Sequence, residues 1–293
     1  MKTYPIHMIA NILSVNYQKL GKVGLIEGHL GIALFFYRFA RELKRESCVE
    51  LADGILDYTF DNYLKSVDRV FSFGLFGFGW SLCKFAAEGF IEVDNNTLSD
   101  FKALVESKYS IMDIESDLKS SMPVYSQGLF CSALKDAHLS AKALSDLEHD
   151  VFPYLREHAV KTCYLISVLY FLKQYSAMYG ESDDLVRQKA EVVQWIGRSI
   201  DSGLSTSQDL YILDAWGVSH SHESYEPDVL NDVYTNWQTI VYEDALPKGP
   251  TLSDDSLSKY FYSIQVDVKP HELSLNGMAN VGLHLINDYK NSK

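Results

Sequence analysis

Apolar residues recur at helical spacing along nearly the whole chain. Leu30 to Leu43 is an apolar run that turns into the charged end Arg41-Glu-Leu-Lys-Arg-Glu. Val49 to Leu64 places Leu51, Ile55, Leu56, Tyr58 and Tyr63 near the 3.6-residue period. Trp80 to Ala87 continues as helix, and Gly89 is placed to end it. Asn96-Thr-Leu-Ser-Asp offers capping residues for a helix through Lys108. Ser145 to Ala159 and Thr162 to Tyr179 form an outer–inner pair stopped by Gly180. Ser182-Asp-Asp-Leu opens a further helix to Ile200, its acidic residues complementing the N-terminal dipole. Less regular stretches interrupt this pattern. Ser110 to Gln127 is polar and ends in Met122-Pro123, which predicts a long connection. Ala215 to Pro227 is rich in polar residues, and Pro247 to Pro250 is a loop. Phe261 to Val268 alternates around Ile264 and Val266, as a short strand or an extended loop. No strand–helix alternation of an α/β fold is present, so the fold class is all-α.

Four of the helical segments open in the same way: Gly28-His-Leu-Gly-Ile-Ala-Leu, Gly74-Leu-Phe-Gly-Phe-Gly-Trp, Gly128-Leu-Phe-Cys-Ser-Ala-Leu and Gly277-Met-Ala-Asn-Val-Gly-Leu. Five positions after each leading glycine stands a small residue, Ala33, Gly79, Ala133 or Gly282. A large apolar residue follows: Leu34, Trp80, Leu134 or Leu283. Gly31 and Gly77 repeat at the third position, where Cys131 and Asn280 stand in the other two. The leading glycines lie 46, 54 and 149 residues apart. The last gap has room for two repeats that lost the glycine, near Tyr164 and near Trp216-Gly217. A period of about 50 residues fits a helical hairpin and its connections. About six such units in a closed ring bury every apolar face, which predicts an (α/α) barrel or toroid. The glycines then sit just before or inside the first turn of inner helices, where they allow close backbone approach. Ordinary glycine-rich helix contacts of no common origin are the plainer alternative.

Composition narrows the function. Nearly half the residues are hydrophobic and no Pro/Gly/Ser-rich linker divides the chain, so residues 1–293 read as a single domain. A formal net charge of −13 disfavours nucleic-acid and anionic-membrane partners and is compatible with a basic peptide. Solubility alone also explains an acidic surface. Neither a signal peptide nor a run of transmembrane length is evident, and Cys48, Cys83, Cys131 and Cys163 form no CxxC pair. A cytoplasmic protein with reduced, mostly buried thiols is expected.

The glycine segments carry a resemblance. Gly24-Leu-Ile-Glu-Gly28-His-Leu-Gly-Ile-Ala-Leu resembles the first glycine element of the lanthionine synthetase C-like family. Phe71-Ser-Phe-Gly74-Leu-Phe-Gly-Phe-Gly-Trp80 resembles the second, and Leu273-Ser-Leu-Asn-Gly277-Met-Ala-Asn-Val-Gly-Leu the last. The match covers both ends of the chain in order, and the middle third poorly. The resemblance implies a double ring of helices with the glycine motifs near the mouth of a central cavity. It also implies the zinc-dependent chemistry of peptide cyclases, in which a metal-bound thiolate adds to a dehydrated serine or threonine. The family's ligands come from Trp-Cys-x-Gly and Cys-His-Gly elements. Here Ala215-Trp216-Gly217 lacks the cysteine and no Cys-His pair occurs, so no metal ligand carries over and no cofactor is expected.

The candidate cavity or binding residues are Glu27, His29, Gln127, Trp216, His220, His222 and Asn276, beside the motif glycines Gly28, Gly31, Gly74, Gly77, Gly128 and Gly277. Glu27 beside His29 can move a proton if paired, although a carboxylate at a helix N-terminus needs no catalytic reason. Ser219-His220-Ser-His222-Glu223 is the densest group of possible metal ligands, with Asp214 or His271 as a third; solvated loop histidines are the bland alternative. Three functions compete. The first is a zinc-less, non-cyclising relative of the cyclases that binds a peptide, or a peptide-modifying enzyme, in lanthipeptide-type maturation. The second is an active (α/α)-barrel enzyme with a relocated site, carbohydrate-processing or a metal-dependent cyclase. The third is an interaction module whose glycines serve packing only.

Overall fold

The structure is a computed structural model that describes residues 3–63, 68–94, 96–120, 122–220, 237–246, 268–275 and 277–292, with Leu257 and Tyr260. Every regular element among the described residues is helical. The expected loop at Pro247 to Pro250 lies outside them, as do His222, Glu223, Asn276 and the stretch 261–267. The chain divides into two compact units, one from residues 1–66 with 226–293 and one from residues 67–225.

The first unit contains α1 (Thr3–Asn16), α2 (His29–Leu43), α3 (Ser47–Tyr63), α13 (Gln238–Val241), α14 (Pro270–Leu273) and α15 (Met278–Asn291). α2 packs on α3 and on α15, and α15 packs on α1, so the two ends of the chain share one core. Helix α2 is buried continuously from His29 to Ala40, as a helix enclosed on all sides must be. Its partner α3 buries one face, through Ala52, Ile55, Leu56 and Thr59.

The second unit contains α4 (Leu75–Ala87), α5 (Ser99–Glu106), α6 (Ile111–Lys119), α7 (Ser126–Leu134), α8 (Ala137–Asp146), α9 (Phe152–Glu157), α10 (Thr162–Tyr179), α11 (Asp183–Asp201) and α12 (Ser207–Ala215). Helices α4, α7 and α10 pack in succession, with α5, α8 and α11 against them. The same division of labour returns. α10 is buried from Tyr164 to Leu172, whereas α11 buries a stripe of Leu185, Gln188, Val192, Trp195, Ile196, Ser199 and Ile200.

Some local expectations are corrected. The supposed connection from Ser110 to Gln127 contains α6, because Ser110 and Asp113 form a reciprocal capping box at its start. The helix expected from Ser145 starts earlier, at Ala137, where the Asp136 carboxylate caps Leu139 N at 3.2 Å. It then widens to a π turn over Leu147–Val151, just before Pro153, which has no N–H to offer the preceding turn. Trp216 and Gly217 end α12, with Gly217 at φ +67, so they do not open an inner helix.

Candidate functional site

Gly28, Gly74 and Gly277 each precede a helix as its cap, and Gly128 lies in the first turn of α7. The first two share one backbone shape. His29 N donates to Lys22 O at 3.2 Å, and Leu75 N donates to Asp68 O at 2.9 Å, each seven residues back. The preceding loop thus folds over the helix end and satisfies donors that usually wait for a side-chain cap. A Cβ on Gly28 would lie 2.6 Å from Lys22 O, and one on Gly74 would lie 2.5 Å from Asp68 O. One turn later the likeness repeats. A Cβ on Gly31 would lie 2.7 Å from Leu25 O, and one on Gly77 would overlap Phe71 O, in both cases the carbonyl six residues earlier. The small residues at the fifth position face a neighbouring motif helix. Gly79 sits against Phe130 of α7, and Gly282 against Phe35 of α2.

These helix ends are closed by backbone, which limits what they can bind. Glu27 and His29 both turn to one lysine. Glu27 pairs with the Lys22 ammonium, and His29 Nδ1–H donates to the Lys22 carbonyl at 2.7 Å. The imidazole is 1% exposed and its edges meet Tyr17 and Tyr58. Burial lowers its pKa, against the pull of the Lys22 carbonyl, so it stays neutral.

Within the second unit Gln127 is fully buried, and its Nε2 donates to Asp146 at 3.0 Å; Lys142 holds the same carboxylate at 2.5 Å. Trp216 stacks on Tyr170 at 6.1 Å beneath the Lys173 ammonium, 4.8 Å from the indole centroid. His220 Nε2 meets Asp214 at 2.9 Å. His222 and Asn276 lie outside the described residues, as does the side chain of His271. Among the described residues no three His, Cys, Asp or Glu side chains come together as metal ligands. Burial pushes the thiols of Cys48, Cys83, Cys131 and Cys163 up, Cys83 to about 12, opposite to what a thiolate nucleophile needs.

Two polar centres were not singled out from sequence. In the second unit Asp117 is 2% exposed and accepts from the Tyr109 hydroxyl, from Ser126 Oγ at 2.5 Å and from Ser126 N at 3.0 Å. Burial raises its pKa to about 7 in spite of these donors. It borders a cavity of about 160 Å³ with Asp68, Arg69 and Asp113. Ser126 Oγ in turn accepts Phe71 N at 2.8 Å, so Asp117 fastens the start of α7 to the loop before Gly74. Two of its three donors belong to Ser126, one of them the backbone amide at the start of α7, which makes it a latch before it is an acid or base. The Ser110-x-x-Asp113 capping signature was the available sign that a helix would carry Asp117 inward.

In the first unit the 5%-exposed Arg38 donates to both oxygens of Glu243, at 3.0 and 2.7 Å. Nearby, Thr239 Oγ1 lies 2.9 Å from His284 Nε2, and desolvation draws that imidazole down to about 4, with Glu243 opposing. Arg38, Glu243 and His284 come from separated parts of the sequence, and no local motif joins them. Comparison of the chain with protein-family models, with curated proteins and with solved structures finds no match.

Proposed function

We propose that this protein is a zinc-less relative of the lanthionine synthetase C-like cyclases, which binds a peptide, or a peptide-modifying partner, without closing thioether rings. The fold that goes with this reading is an (α/α) toroid of about six hairpins with the glycine motifs on its inner helices. One observation carries the proposal. Gly28 with Gly31 and Gly74 with Gly77 meet carbonyls at the same offsets, so the motifs match in backbone shape as well as in letters. Buried motif helices with one-sided partners are what stacked hairpins require. The departures set the chemistry. Cyclase zinc needs thiolate and imidazole ligands at the motif positions, and Trp216-Gly217 and Asn276-Gly277 supply neither a cysteine nor a Cys-His pair.

Elemental analysis of the purified protein tests this directly. The expected result is far less than one zinc per chain, unchanged in a His220→Ala/His222→Ala variant, together with saturable binding of a fluorescent, cysteine-containing basic peptide. About one zinc per chain, lost in that variant, would overturn the zinc-less reading. Absence of peptide binding would leave the packing-only module.

A further inference from the structure

A cavity of about 220 Å³ opens in the second unit between the end of α9, residues 158–160 and α11. Leu155, Val160, Leu165 and Trp195 give it an apolar lining, and all four are buried. Its rim carries Arg156, Glu157 and Arg198. Arg156 is committed to Glu191 through Nε at 2.8 Å and Nη2 at 3.2 Å. Arg198 lines the same cavity, is exposed, and among the described residues its guanidinium makes no ion pair or hydrogen bond. The backbone amides of Ala159 and Val160, also at the cavity, donate no hydrogen bond among the described residues. Glu157 stands on the rim as well, so an anion belongs on the Arg198 side.

Size and chemistry select the ligand class. Sites for drug-sized ligands begin at roughly 300 Å³, so this cavity suits one apolar side chain and one small charged group. A chain of net charge −13 repels anions at long range, and Arg198, which makes no ion pair among the described residues and shares this cavity with Trp195, is a local exception to that field. A guanidinium presents parallel N–H donors that match a carboxylate. We propose that this cavity binds an apolar carboxylate, with the hydrocarbon on Leu155 and Trp195 and the carboxylate on Arg198. This proposal does not rest on the peptide-binding reading above and stands or falls without it.

The C-terminus of a peptide and a free branched-chain acid share this chemistry. Titrations with N-acetyl-leucine, N-acetyl-leucinamide, acetyl-Ala-Ala-Leu and 4-methylpentanoate, read by tryptophan fluorescence and calorimetry, separate them. Saturable binding of the carboxylates at least about tenfold tighter than of the amide is expected, lost in Arg198→Ala and partly kept in Arg198→Lys. Tighter binding of the tripeptide marks a peptide C-terminus, and equal binding of the free acid marks a small metabolite. Arg198 is exposed, so Arg198→Ala retains the fold, and its circular dichroism provides the control. Equal affinity for acid and amide, no saturation by about 10 mM, or full binding by Arg198→Ala overturns the proposal.

Discussion

At the residue scale the glycines separate into two kinds that the sequence writes with one letter. Gly77 has the Phe71 carbonyl where a Cβ would go, so any side chain must push backbone aside. Gly197, inside α11, has nothing within 4 Å of its missing Cβ. Gly77→Ala is therefore expected to cost about 3 kcal/mol or more, as overpacking against an immovable group does. Gly197→Ala is expected to stabilise by about 0.5–1 kcal/mol, because alanine restricts the unfolded chain and favours helix. Urea denaturation of both variants checks the pair. Equal effects would mean that the close approach at Gly77 has no energetic consequence. The importance of Gly77 was legible because its cause lies six residues away in the chain. Asp117 was not legible, because burial of its carboxyl depends on Tyr109 and Ser126 arriving from either side.

At the element scale the packed motif helices are joined by serines. Ser126 of α7 accepts the Phe71 amide three residues before Gly74, and Ser167 of α10 accepts the Tyr125 amide three residues before Gly128, at 2.7 Å. Each helix thus fixes the entry of the one before it, at the same register of the repeat. Removal of either hydroxyl leaves a buried N–H without its acceptor. Ser126→Ala and Ser167→Ala should each lose about 1–3 kcal/mol of unfolding free energy, the cost of an unsatisfied buried amide. Serine-to-alanine changes at exposed Ser116 or Ser292 should stay within about 0.5 kcal/mol. A loss at the buried serines no larger than at the exposed ones would show that the joints do not hold. Helices with regular apolar spacing, such as α3, α10 and α11, were legible to within a few residues. Helix α6 was missed because ten polar residues among the eighteen positions from Ser110 to Gln127 outweighed one capping box. The serine joints were invisible, since a serine in an apolar helix carries no sign of the amide it will meet.

At the scale of the whole molecule, each compact unit holds a buried group, Asp117 in the second and His284 in the first, whose titration acts with opposite sign. Asp117 has its pKa raised from 3.8 to about 7, so the folded second unit keeps a proton that the unfolded chain has lost. Its contribution to stability is greatest below about pH 4 and falls as pH climbs to about 7, by about 4 kcal/mol at most. His284 has its pKa lowered from 6.5 to about 4, so the folded first unit refuses a proton that the unfolded chain takes up. Its contribution is complete above pH 6.5 and is lost as pH falls toward 4. Between these limits the two slopes oppose, and wild-type stability can look flat while neither unit is indifferent to pH. Single substitutions expose this. Relative to wild type, Asp117→Asn should be more destabilised at about pH 5 than at about pH 7.5, and His284→Gln less destabilised at about pH 5 than at about pH 7.5. Parallel shifts of the two variants would refute opposed titration. The comparison also tests the division of the chain. If unfolding followed by a probe in the second unit, such as Trp195, responds to Asp117→Asn and is untouched by His284→Gln, the units unfold separately. If both substitutions move it equally, the ends of the chain and its middle unfold as one cooperative body.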